Sequence, residues 1–178
     1  MELELREALR KKVGRLRRLL LASSREQLES RYGLAPDQGT PLPDASIPHV
    51  LESPRLARER GEILAAIDHE HEQLRGKGRT RQRAVQMFLL ESAFTALNRL
   101  AALKVMERRG LVPECLLKGE KSEGMKLFRQ LSPAGTRGGG GSSYRRFLEL
   151  LFDDVAGEVS ILFDRTLPPS YLFPEGPA

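Results

Sequence analysis

The chain has 178 residues, with 29 Lys and Arg against 24 Asp and Glu, a formal net charge of +5. That balance permits nucleic-acid binding without establishing it. Cys115 is the only cysteine, which excludes an internal disulfide and any multi-cysteine zinc site. The excess charge is uneven: residues 1–31 and 75–83 are basic, while residues 149–164 carry Glu149, Asp153, Asp154, Glu158 and Asp164. A positive front and an acidic rear imply two different contact surfaces.

In chain order, the spacing predicts a long amphipathic helix over 2–31. Its apolar side holds Leu5, Leu9, Leu16, Leu19, Leu20 and Leu28, and Gly14 is a weak point within it. Leu19 to Ala22 is too short an apolar run for a secretory leader and sits among charges. From Gly33 the chain meets Pro36, Pro41, Pro43, Pro48 and Pro54, which predicts an extended connector. Ser53 and Pro54 then form an N-cap and first-turn pair for a second helix, roughly 54–74.

Gly76 and Gly78 break the chain before the main helix, about 80–109. That helix ends on Arg108 and Arg109, with Gly110 placed to take the left-handed position and Pro113 blocking continuation. Its interruption by Glu91, Asn98, Arg99 and Lys104 argues against a membrane span. Ser122 is placed to cap a short helix through Leu131. The run from Gly138 to Ser143 reads as a flexible linker, and a final helix over about 144–163 buries Phe147, Leu148, Leu151, Val155, Val159 and Leu162. Pro168, Pro169, Pro174 and Pro177 keep the tail extended.

No run has the alternation of a strand. The expected fold is therefore all-α, a bundle of about four to five helices. Its expected segments are a basic helix 1–32, a proline-rich connector 33–54, a central helical region 55–135, a Gly/Ser linker 136–143, and a final helix and tail 144–178.

Three groups of residues invite chemistry. Within the apolar main helix, Glu91, Thr95 and Asn98 follow i, i+4, i+7 spacing on one face, next to Arg99. Burying such groups is costly without partners. The stripe thus either organises the helix bundle or faces something outside the chain. Arg75, Lys77, Arg79, Arg81 and Arg83 alternate along a glycine-loosened segment and could follow a phosphate backbone. An ordinary solvated loop and helix start would read the same. Asp68-His-Glu-His-Glu72 suggests a metal, but on a helix His69 and His71 point to different faces. A metal site is not expected.

No acid, base and nucleophile converge in the sequence, and no catalytic residue is expected. Leu167-Pro-Pro-Ser-Tyr171 is superficially similar to the Asn-Pro-Pro-Tyr motif of amino-methylating enzymes. It lacks the asparagine that would accept a flipped base.

Several segments together resemble the N-terminal helical region of adenine-specific DNA methyltransferases of the BREX phage-defence (PglX-like) type and their DISARM relatives. They are the leucine- and arginine-rich first helix, the block Phe94-Thr-Ala-Leu-Asn-Arg-Leu-Ala-Ala-Leu-Lys-Val-Met-Glu-Arg-Arg-Gly110, the run Ser122-Glu-Gly-Met-Lys-Leu-Phe128, and the end of the chain. That end comprises Tyr144-Arg-Arg-Phe-Leu-Glu-Leu-Leu-Phe-Asp-Asp154, Leu162-Phe-Asp-Arg165 and Ser170-Tyr-Leu-Phe-Pro174. The resemblance implies a module that precedes a domain binding S-adenosylmethionine and methylating adenine. No cofactor is expected in this chain itself, since it stops at Ala178 before any such motif. The implied partners are DNA and the methyltransferase domain or other phage-defence subunits, in the cytoplasm and not at a membrane. A self-sufficient helical interaction or nucleic-acid-binding protein is the alternative. An independent enzyme using His69 or His71 has the least support.

Overall fold

A computed structural model describes residues 2–37, 39–43, 46–74, 80–133 and 140–174. It is all-α, with no strand among the described residues. The α-helices are α1 (Glu2–Ser30), α2 (Pro48–Leu51), α3 (Pro54–Gln73), α4 (Arg81–Arg108), α5 (Glu123–Leu131), α6 (Gly140–Ala156) and α7 (Ser160–Phe163). Two short 3₁₀ turns lie at Gly119–Lys121 and Pro168–Tyr171. None of the described helices is long and apolar enough to cross a membrane.

Local chemistry sets several of the ends. Ser53 accepts the Leu56 N–H at the start of α3, and Ser122 accepts the Met125 N–H at the start of α5. Each side chain satisfies a donor that helix geometry leaves orphaned. At the end of α4, Gly110 adopts φ 70°, and the N–H groups of Gly110 and Leu111 bond back to the carbonyls of Glu107 and Met106. This pair of bonds is a Schellman closure, which favours glycine.

The chain forms two units. The first comprises Met1–Phe94 and Thr166–Phe173. Its core packs Leu28, Tyr32, Leu34, Ile63, Ile67, Ala84, Val85, Phe88, Leu89 and Leu172. Its polar interior is built around Glu59 and Arg60 of α3, both buried. Glu59 accepts from the Tyr32 hydroxyl at 2.8 Å and from Arg55 Nε at 2.7 Å, while Arg60 donates to the carbonyls of Tyr32 and Leu42. Burial opposes the Glu59 charge, but the bonds from Arg55 and Tyr32 prevail and hold its pKa below the ordinary value.

One expectation needs correction in this unit. Residues 33–54 are not simply extended. The carbonyl of Gly33 accepts the Leu42 N–H, Leu34 and Pro41 form an isolated bridge, and Leu34, Ile47 and Val50 are buried. The prolines leave the carbonyls free to accept, and Gly33 at φ 61° turns the chain back. The expected first helix forms as α1, and it buries only its rear: Leu20 and Leu28 are in the core, whereas Leu5, Leu9 and Leu19 are exposed.

The second unit comprises Thr95–Arg165 and Pro174–Ala178. Its buried residues include Leu103, Cys115, Met125, Phe128, Phe147, Phe152 and Phe163. Phe128 packs on Phe147 with ring centroids 5.8 Å apart, and Phe152 on Phe163 at 5.5 Å. A Cβ at Gly124 would lie 2.7 Å from both the Glu114 carbonyl oxygen and Phe147 Cζ, so only glycine permits this approach.

The expected final helix is divided. It begins at Gly140, so Gly140 to Ser143 are helical rather than linker, while 136–139 lie outside the described residues. It stops at Ala156, before Gly157, and resumes as the short α7. That break leaves Val159 exposed and Leu162 half-buried, and it buries Phe163 instead.

Candidate functional site

Of the five cations expected to follow phosphate, Arg75, Lys77 and Arg79 lie outside the described residues. Arg81 and Arg83 occupy the first turn of α4, where the helix dipole disfavours cations. The pair diverges, as residues two apart on a helix must. Arg81 forms an ion pair with Asp68 of α3, and Arg83 is exposed. Thr80 caps the same turn by accepting the Arg83 N–H. Of the two, Arg83 is the more exposed to an approaching phosphate.

The polar line on α4 separates into different environments. Glu91 is exposed, Thr95 and Asn98 are half-buried, and Arg99 is buried. A fully buried inter-helix contact through all three polar residues does not form. Of the two expected roles, the outward-facing one fits Glu91 better, and the organising role falls to their neighbour.

Arg99 is buried in the second unit and held by backbone and ring partners. Its Nε donates to the Leu162 carbonyl at 2.8 Å, and Nη2 donates to the Asp164 carbonyl. The guanidinium carbon lies 5.9 Å from the Phe152 ring centroid, within cation–π range. Burial, together with nearby Arg165, pulls the Arg99 pKa down, yet a guanidinium remains cationic. One side chain of α4 thus holds the end of α7 and the turn after it by their backbone.

Glu107, absent from the expected site, does the complementary work. Its Oε1 accepts the N–H groups of Cys115 at 2.8 Å and of Leu116 and Leu117 at 3.0 Å, while Oε2 meets Lys104 Nζ at 2.6 Å. Desolvation opposes the charge, but Lys104 and the three N–H bonds outweigh it and bring the pKa down to about 2. A signal existed in the sequence. An acid in the last turn of a helix sits against the dipole and needs donors from elsewhere.

The remaining candidates do not gather into a reactive site among the described residues. Cys115 is buried, and burial first, then Glu107, pushes its thiol up to about 12, far from a nucleophile at neutral pH. Tyr144 donates to the Cys115 carbonyl at 2.8 Å. Tyr171 of the Pro-Pro-Ser-Tyr turn donates to Glu62 and the Thr166 carbonyl, tying that turn to α3. His69 is exposed and His71 half-buried, and no group of three metal-binding side chains gathers among the described residues.

Compared with protein-family models, curated proteins and solved structures, the chain matches none of them.

Proposed function

We propose that this chain is the helical module of an adenine-specific DNA methyltransferase of the phage-defence type. It acts in the cytoplasm as architecture that supports the S-adenosylmethionine-dependent domain and lies beside the DNA backbone. The observation carrying this reading is the Arg99 clamp. The most specific stretch of the resemblance, Phe94–Gly110, is bonded through Arg99 to another of its stretches, Leu162–Arg165. Glu107, from the first of those stretches, holds the backbone of the loop that follows it. Their polar residues therefore serve a fold, as a scaffold requires, and not an acid–base constellation.

The test is genetic and chemical. Deleting residues 1–178 from the gene that encodes them should abolish N6-methyladenine in the host DNA, read by long-read sequencing. Unchanged methylation would remove the methyltransferase reading. DNA binding by the purified chain, titrated against salt with Arg79→Ala, Arg81→Ala and Arg83→Ala, measures the phosphate contribution separately. The exposed front of α1 favours a second reading, a self-sufficient helical interaction protein, which predicts a stable monomer that binds a partner with no effect on methylation.

A further inference from the structure

The front of α1 has a prepared face that the described residues leave exposed. Every residue from Glu2 to Val13 is exposed, and the first buried side chain is Leu20. At about 100° per residue, Leu5, Leu9, Val13, Leu16 and Leu20 fall within an arc of about 80°. This line is continuous with the face that enters the core at Leu20. The fold covers its rear and leaves Leu5 69% and Leu9 60% exposed.

The character of the flanks narrows what covers it. Arg6, which forms an exposed ion pair with Glu2, borders the stripe with Arg10 and Arg17 on one side, and Lys12 and Arg15 lie on the other. Over Glu2 to Leu19 there are seven cations, these five with Lys11 and Arg18, against Glu2, Glu4 and Glu7. Pairing with the same face of a second copy would set cation rows against cation rows, a repulsive arrangement. Membrane-surface helices usually carry a broad apolar face with Trp or Phe. Here the stripe is narrow and aliphatic, and residues 2–31 contain no aromatic residue. A narrow leucine line bordered by charge is the geometry of a helix-pairing seam.

We propose that the front of α1 is a docking seam for an acidic amphipathic helix of a partner protein, seating leucines along Leu5, Leu9, Val13 and Leu16 and carboxylates against Arg6, Arg10, Lys12, Arg15 and Arg17. This holds independently of the methyltransferase reading.

The experiment uses the full chain and a fluorescent synthetic helix with leucine at its seam positions and glutamate on both flanks. The expected result is saturable binding that weakens steeply with salt. Leu9→Asp should weaken it by about tenfold or more, the loss of one seated leucine. Leu9 is exposed, so circular dichroism and thermal unfolding of this variant should match the parent. A variant carrying Arg6→Glu, Lys12→Glu, Arg15→Glu and Arg17→Glu should reverse the preference to a peptide with lysine flanks. Failure to bind the acidic peptide at low salt overturns the proposal. So does equal binding of acidic and basic peptides, or a chain that binds only phosphatidylserine vesicles or duplex DNA. Self-association abolished by Leu9→Asp, without peptide binding, would also overturn it by making a second copy the occupant.

Discussion

Glu59 of the first unit is kept differently from Arg99 and Glu107 of the second, although Arg60 beside Glu59 is itself held by the Tyr32 and Leu42 carbonyls. In the first, Glu59 is held by other side chains, the guanidinium of Arg55 and the phenol of Tyr32. In the second, Arg99 is held by two backbone carbonyls, and one oxygen of Glu107 by three backbone N–H groups. A side-chain partner can be lost and the chain path kept. A backbone partner is part of the path itself, so its charge defines the course of a loop as well as its energy. Segments 110–118 and 164–165 of the second unit accordingly follow a side chain rather than a helix, as Tyr32 and Leu42 of the first follow Arg60.

The sharpest way to break this contrast is Arg99→Met, which preserves length and apolar packing but leaves the Leu162 and Asp164 carbonyls without their charged donor. We expect a loss of about 3 kcal/mol, read from the urea midpoint. A loss below about 1 kcal/mol would show that water replaces the guanidinium.

Next is Glu107→Gln, expected to cost about 2 kcal/mol at neutral pH because three N–H groups lose a charged acceptor. The carboxylate is held at about 2 in the folded chain against 4.5 ordinarily. Its contribution is therefore complete above pH 4.5 and disappears as pH falls towards 2. Parent and variant should converge in stability across that window, and parallel pH profiles would contradict the assignment.

In the first unit, Tyr32→Phe removes one of several donors to Glu59 and should cost about 1 kcal/mol, less than either change in the second. A larger loss would erase the distinction between the two modes. The smallest effect is a gain. Gly14 lies mid-helix in α1, and a Cβ added there would meet nothing within 4 Å. Gly14→Ala should therefore raise helix content and add up to about 1 kcal/mol to the stability of α1, seen by circular dichroism.

What the sequence discloses follows the same division. Ser53, Ser122 and Gly110 are legible because a cap acts on residues three to five positions away. The leucine period of α1 is legible as a face, but amphipathicity does not say whether a partner reaches that face, and only Leu20 onward finds one. The connector differs from its expected form because prolines forbid helix without forbidding a compact loop that hydrogen-bonds through carbonyls. Val159 and Leu162 enter the expected core only by carrying one helical period through Gly157, where the helix in fact stops. For the candidate site, Arg99 stands out in the sequence through its neighbours alone, and its acceptors 63 and 65 residues away carry no sequence signature.

Cys115 gives the second unit a clock of its own. As the chain's only thiol, buried and pushed up to about 12, it is closed to alkylating reagents while the surrounding loop holds. Each labelling event in a time course would then timestamp an opening of that unit, with the first unit contributing no signal. Native-state alkylation thereby measures the lifetime of one half of this chain without cutting it from the other.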